Sequence, residues 1–318
     1  MRQDWPGRRL IVRFMVMGLW SLGMVAGLPA WAEPPWPPPS CGRETLPLTS
    51  GKPLRFAALG DQGSGDADQW AVANSLKAWC EKKGCDMVLL LGDNFYPGGV
   101  VSQQDPKWVE MFSGPYGKIP APFYALLGNH DYKSDDPRRG AVQLERHAQD
   151  PHWNMPGNAY ALAAGPALFL AMDTVRLERL GEAEAQAQGR CLAQARKESR
   201  APWTIALGHY PVMNNGRHLV SQTLKDFYQK NLCGPLDLAL AGHDHNLQVL
   251  DGPPECPGLF VVSGGGGKAI YPLNGSAPHV FQRESYGFVY GVVTPTTLTL
   301  TLVNRNGRVL FEKTVQKK

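Results

Sequence analysis

Short apolar runs recur along the chain, and five of them end alike, in a glycine followed by a side chain that binds metals. They are Phe56–Leu59 before Gly60-Asp61, Val88–Leu91 before Gly92-Asp93, Tyr124–Leu127 before Gly128-Asn129, Thr204–Leu207 before Gly208-His209, and Leu238–Ala241 before Gly242-His243. A run of four apolar residues reads as a strand buried on both faces. The glycine is expected to let the backbone turn sharply as the strand ends. The next residue then sits at the carboxyl edge of a sheet, where open α/β folds place their ligands. All five edges are expected in one sheet, forming one polar, metal-binding crevice.

The segments between and beyond these runs complete an alternating pattern. Helices are expected over 66–82, 181–199 and 219–230. Asp105-Pro106 opens a short helix to about residue 112, with the proline at its first position. Strands are expected at 86–91, 123–127, 167–172 (ending at Asp173), 203–207 and 236–241, with loop and helix over 133–150. Past residue 246 the texture changes to β segments at 247–250, 259–263, 287–293, 297–303 and 309–315. Asn306-Gly307 is a hairpin signal. The class is α/β: one domain over 52–318, with two packed sheets and helices outside. Residues 33–51 begin with the proline-rich Glu33–Ser40 and read as an extended leader.

The first 32 residues read as an export signal. Arg8, Arg9 and Arg13 precede an apolar stretch, Phe14–Leu28, and Ala30-Trp31-Ala32 is a small-x-small cleavage site that puts the mature start at Glu33. The alternative is an uncleaved anchor. Export is to the periplasm or outside, by the Sec route or, through Arg8-Arg9, the twin-arginine route. The net charge of +4 owes +3 to this segment, which carries four Arg and one Asp, and the remainder is close to +1. Bulk charge therefore gives no basis for nucleic-acid binding, and no stable membrane insertion is expected after cleavage. The six cysteines (41, 80, 85, 191, 233 and 256) are even in number and form no Cys-x-x-Cys pattern. Disulfides are expected, Cys80 with Cys85 first, with buried thiols the alternative.

The chemistry lies in the strand ends. Asp93 has two oxygens with which to bridge two cations, and Tyr96, three residues on, is within reach of one. A tyrosinate is a hard anionic ligand that suits Fe(III) better than Mg or Zn. Asn129 offers a neutral carbonyl oxygen, while His130 beside it is expected to face substrate. His243 and His245, separated by one residue, reach adjacent metals if the backbone curls after its strand. Taken singly, Gly-Asp is an ordinary turn, Asn-His-Asp a helix cap, and His209 a structural histidine. Taken together they gather carboxylates, an amide, a phenol and three imidazoles, a set too costly to bury without cations.

The set Asp61-Gln-Gly63, Gly92-Asp93-Asn-Phe-Tyr96, Gly128-Asn129-His130-Asp131, Gly208-His209-Tyr-Pro-Val212 and Gly242-His243-Asp-His245-Asn-Leu-Gln248 resembles the purple acid phosphatases, a branch of the calcineurin-like metallophosphoesterases. The resemblance runs from about 52 to 318, in the size of the small, tartrate-resistant type. It implies a four-layer α/β/β/α sandwich of two mixed sheets flanked by helices. It also implies Fe(III) on Asp61, Asp93, Tyr96 and His245, and a second divalent ion (Fe, Zn or Mn) on Asp93, Asn129, His209 and His243. His130 resembles the family's proton donor. His218, counted without gaps from His209, falls where animal-type enzymes have another active-site histidine, as a second acid or phosphate contact; a surface-loop histidine is the alternative. Most of the wider superfamily opens with Asp-x-His, whose histidine binds the first metal; here Gly63 holds that place and Tyr96 takes over.

The expected activity is an exported acid phosphatase that hydrolyses phosphate monoesters by attack of a metal-activated hydroxide. Its substrates are small monoesters, phosphoproteins or nucleotides. The alternatives are a Mn or Zn phosphodiesterase or nucleotidase on the same fold, and a redox-active or phosphate-binding di-iron protein. Ser263-Gly-Gly-Gly-Gly-Lys268 fails the P-loop pattern, because Ala269 stands where Ser or Thr is needed. It is expected as a flexible loop at the crevice rim, with Lys268 near substrate. Asp173 is expected behind the ligands or in a simple turn.

Overall fold

The computed structural model describes residues 36–133 and 136–317. The expected export signal, its cleavage site and the first leader residues lie outside them. Two sheets face each other. One runs β15(Val309–Gln316), β14(Thr297–Asn304), β13(Gly287–Val293), β2(Leu54–Leu59), β3(Met87–Leu91), β4(Phe123–Leu126), β5(Trp153–Asn154). The other runs β1(Cys41–Leu46), β6(Ala159–Ala164), β7(Ala167–Ala171), β8(Trp203–Leu207), β9(Leu238–Ala241), β11(Leu259–Ser263), β10(Leu247–Asp251), β12(Phe281–Arg283). β2, β3 and β4 run parallel, as do β7, β8 and β9, while β13–β15 form the expected antiparallel meander.

Both sheets are mixed, and helices cover their outer faces. The inner faces meet in one cluster, including Phe56, Leu89, Leu126, Phe169, Ile205 and Leu240, all nearly inaccessible. The alternate residues of the same strands face outward. Those of the first sheet pack under helix Ala67–Lys83; those of the second pack under helices Thr174–Leu180, Glu182–Glu198 and Gln222–Asn231. Strands buried on both faces explain why their sequences read as continuous apolar runs rather than as alternation. The four layers are those the resemblance implied.

Three elements differ from expectation. β1 lies inside the segment assigned to the leader, yet pairs parallel with β6 over all six residues and is tied by Cys41–Cys191 to helix Glu182–Glu198. Its polar sequence, Cys-Gly-Arg-Glu-Thr-Leu, fits a strand at the sheet's edge. Trp36 also packs, its ring 4.7 Å from Tyr132. The helix after Asp105-Pro106 starts later and is a π-helical turn, Trp108–Ser113. The glycine run 264–267 is not a loose loop. It is buried as a seam: Gly266 N–H donates to Gly60 O and Lys268 N–H to Asp61 O. Cys80–Cys85 forms as expected, and Cys233–Cys256 is the third bridge.

Candidate metal centre

The ligand-bearing edges come from both sheets, not from one. β2, β3 and β4 deliver Asp61, Asp93 and Asn129; β8 and β9 of the facing sheet deliver His209 and His243. The crevice is the line along which the carboxyl ends of two parallel strand sets meet. Of the five glycines before these residues, Gly92 makes the turn in the left-handed region, with φ of 87°, and the other four do not. Asp61, Asp93 and His243 themselves adopt the left-handed conformation, with φ of 60°, 55° and 69°. Non-glycine residues held there are strained, and such strain clusters at functional sites. Gly128 is needed for space: a Cβ on it would lie 2.2 Å from Asp93 Oδ1.

Seven donors converge on two neighbouring positions. Around the first, Tyr96 Oη lies 2.8 Å from Asp93 Oδ2, 3.2 Å from Asp61 Oδ1 and 3.2 Å from His245 Nε2. Around the second, His209 Nε2 lies 3.1 Å from Asn129 Oδ1 and 3.4 Å from Asp93 Oδ1, with the His243 ring 5.0 Å from that of His209. Asp93 thus turns one oxygen to each group. Asp61, Asp93 and His209 also qualify jointly as a cation-holding cluster, with one donor atom from each mutually within 4.8 Å.

The second nitrogens of two imidazoles are fixed by the backbone. His209 Nδ1 lies 2.9 Å from Leu91 O and His245 Nδ1 lies 2.8 Å from Ala269 O. A carbonyl can only accept, so those nitrogens carry the protons and both Nε2 atoms keep their lone pairs for the cluster, the usual arrangement of metal-ligating histidine. Burial, then Asp61 and Asp93, hold the Tyr96 phenol far above its ordinary pKa. Burial pulls His209 and His245 down, but Asp93 and Asp61 outweigh it and leave both raised. Burial and the surrounding imidazoles hold His243 well below its ordinary value. These opposed demands are what a buried cation relieves, since it stabilises tyrosinate and unprotonated imidazole together. The donor set of carboxylate, phenol, amide and imidazole therefore fits a hard or borderline metal pair.

His130 is the second residue of the short helix Asn129–Tyr132. Its N–H donates to Asp93 Oδ1 at 2.8 Å and its Nδ1 lies 3.0 Å from Pro97 O, and its Nε2 has no hydrogen bond among the described residues. His218 is brought to the centre: its ring stacks on His243 at 3.9 Å, and its Nδ1 lies 2.9 Å from Asp244 Oδ1. A cavity of about 310 Å³, lined in part by Tyr210, His218, Leu219 and His243, adjoins the second position. Asp173 caps helix Thr174–Leu180 and accepts a hydrogen bond from Tyr132 Oη, the simple-turn alternative.

Sequence reasoning gave no role to Asp131, Tyr271 or Arg217. Asp131 accepts from Gly128, Asn94 and Phe95 N–H and from Gln143, and so clamps the Asp93 loop to the Asn129 loop. Burial and Asp93 push its carboxyl up to about 7, against the pull of those donors. Tyr271 stacks on His245 at 3.9 Å, and Arg217 lies over Tyr271. Of these, only Asp131 left a signal, in the cap-like Asn-His-Asp. Gly63 has a geometric reason: a Cβ there would lie 1.9 Å from Asn94 O, while Gly63 O accepts the Tyr96 N–H at 2.8 Å. A side chain at 63 would therefore collide with the backbone of the loop that carries Tyr96.

The calcineurin-like phosphoesterase profile matches residues 54–247. Tartrate-resistant acid phosphatase type 5 of Oryctolagus cuniculus is 28% identical over 305 residues, covering 83% of this chain and 91% of its own. Purple acid phosphatase 17 of Arabidopsis thaliana is 28% identical over 300 residues, covering 85% and 87%. The fold matches that of GAP50, described as the anchor in the inner membrane complex of Plasmodium, with TM-score 0.71, 22% identity and coverage of 84% and 90%. It also matches purple acid phosphatase PPD1 of yellow lupin, with TM-score 0.67, 18% identity and coverage of 83% and 54%. With its strand-end donors gathered in one crevice, the chain belongs to the calcineurin-like phosphoesterases.

Proposed function

We propose that this protein is an exported acid phosphatase that hydrolyses phosphate monoesters at a pair of metal ions. Asp61, Asp93, Tyr96 and His245 would hold Fe(III), and Asp93, Asn129, His209 and His243 a divalent Fe, Zn or Mn. The observation that carries this reading is the Tyr96 phenol set among Asp61, Asp93 and His245. When bound, the ions supply Lewis acidity and an activated water. The chain's own groups do the rest. His130, whose backbone N–H is held by Asp93 and whose ring lies against Tyr96, protonates the leaving alcohol oxygen from Nε2 as the P–O bond breaks. His218, its Nδ1 held by Asp244, offers Nε2 to a phosphate oxygen or serves as a second acid. The cavity beside His243 takes the alcohol portion.

Export is supported by the cysteines. All six are bridged, as suits an oxidising compartment. No helix among the described residues is long and apolar enough to cross a membrane. The test is His130→Ala, assayed on an alkyl phosphate and on an activated aryl phosphate. Its kcat on the alkyl ester should fall by about 10²-fold or more, and far less on the aryl ester, whose leaving group needs no proton. Equal losses would remove His130 from this role.

A further inference from the structure

Two cations stand at the mouth of the centre without acidic partners. Among the described residues, neither Arg217 nor Lys268 has a side-chain ion pair or hydrogen bond; each instead lies over an aromatic ring. Lys268 Nζ is 5.1 Å from the centre of the Tyr96 ring. Arg217 Cζ is 4.1 Å from the centre of the Tyr271 ring. Tyr271 lies nearly parallel to His245 at 3.9 Å, so His245 and Arg217 take its opposite faces. Both cations therefore rest on rings that touch the first metal position. Their backbones are tied to the ligand loops as well: Lys268 N–H donates to Asp61 O, and Arg217 N–H to Asp244 Oδ1 between His243 and His245. Tyr271 N–H donates to His245 O.

Each cation lies over a ring face and, among the described residues, pairs with none of the carboxylates of the centre, so both stand outside the donor set that would hold the scissile phosphate. They are placed for something attached to it. A guanidinium fixed on a ring face keeps its donor edge for a planar or tetrahedral anion, and an ammonium over a phenol ring keeps its three donors. The geometry points to Arg217 and Lys268 as a second anion subsite on the His245 side. It selects substrates that carry another anionic group, a phosphate or a carboxylate, close to the phosphate being cleaved. This inference rests on the phosphatase reading for its meaning, but its test does not depend on turnover.

The test is calorimetric binding of three non-hydrolysable ligands to the metal-loaded protein: methylphosphonate, methylenediphosphonate and phosphonoacetate. The proteins are wild type, Arg217→Gln, Lys268→Gln and the double variant. Wild type should favour the two-group ligands over methylphosphonate. Each substitution should cut that preference several-fold, and both together by about tenfold or more, with a smaller effect at high salt. A response with methylenediphosphonate alone narrows the subsite to phosphate; a response with both ligands extends it to carboxylate. A preference that survives both substitutions, or none in wild type, overturns the proposal. A wild type that shows the preference yet hydrolyses no ester would keep the subsite and remove the phosphatase reading.

Discussion

The glycines before the ligands can be tested by adding one methyl group. In Gly128→Ala the new Cβ would start 2.2 Å from Asp93 Oδ1 and 2.4 Å from Asp93 N. To reach an ordinary contact the Asp93 carboxylate or the strand end must recede by roughly 1 Å. Asp93 Oδ1 is the atom that faces His209 and accepts the His130 N–H, so the shift displaces the proposed second metal position and the proposed proton donor together. Overpacking of this kind costs about 1–3 kcal/mol, and a misplacement of ~1 Å at reacting groups costs about 10²-fold in rate. Gly60→Ala is the graded control, since its Cβ would meet Gly242 Cα at 3.0 Å, which a small backbone adjustment relieves. The assay is metal content of the purified proteins together with kcat/KM on an aryl phosphate. Gly128→Ala should lose one metal per chain and about 10²-fold or more in kcat/KM, and Gly60→Ala markedly less of both. If Gly128→Ala keeps both metals and near-wild-type kcat/KM, the steric reasoning fails.

Two further outcomes follow from the surrounding structure. Burial raises the Asp173 carboxyl to about 6, from an ordinary 3.8, against the pull of Tyr132 and Arg176. The folded chain thus binds this proton more tightly than the unfolded chain. Its stabilising effect is full below pH 3.8 and is lost as pH rises through about 6. The urea stability of wild type relative to Asp173→Asn should fall by about 3 kcal/mol across that window; a flat difference would contradict the assigned protonation. Cys41 and Cys191 are 150 residues apart and pin edge strand β1. Replacing both by serine should cost about 2–5 kcal/mol by thermal unfolding with both metals retained; an unchanged Tm would show that packing alone holds β1.

The sequence displayed the ligands because their physics is local. A doubly buried strand must be apolar throughout, and the residue that ends it must be polar to serve the crevice, so Asp61, Asp93, Asn129, His209 and His243 each carry a visible frame. What was hidden depends on neighbours distant in the chain. Gly128 reads as a turn residue, and only the approach of Asp93 from the adjacent strand shows that space is its purpose. That His209 and His243 arrive from a second sheet follows from topology rather than from any run of residues. Arg217 and Tyr271 have no motif, since their meaning lies in stacking on His245. β1 resembles a leader in sequence because an edge strand has no doubly buried run to announce it, and its partner β6 lies more than a hundred residues away.

Tyr96 is the proposed ligand of a ferric ion beside a second cation. The most direct measurement of this is the visible spectrum of the metal-loaded protein alongside its iron content, for wild type and for Tyr96→Phe. Wild type should contain iron and show a tyrosinate-to-Fe(III) absorption band, and Tyr96→Phe should lack the band. A fully metallated, active wild type without iron or band, or a Tyr96→Phe variant that retains the band, would contradict that ligation.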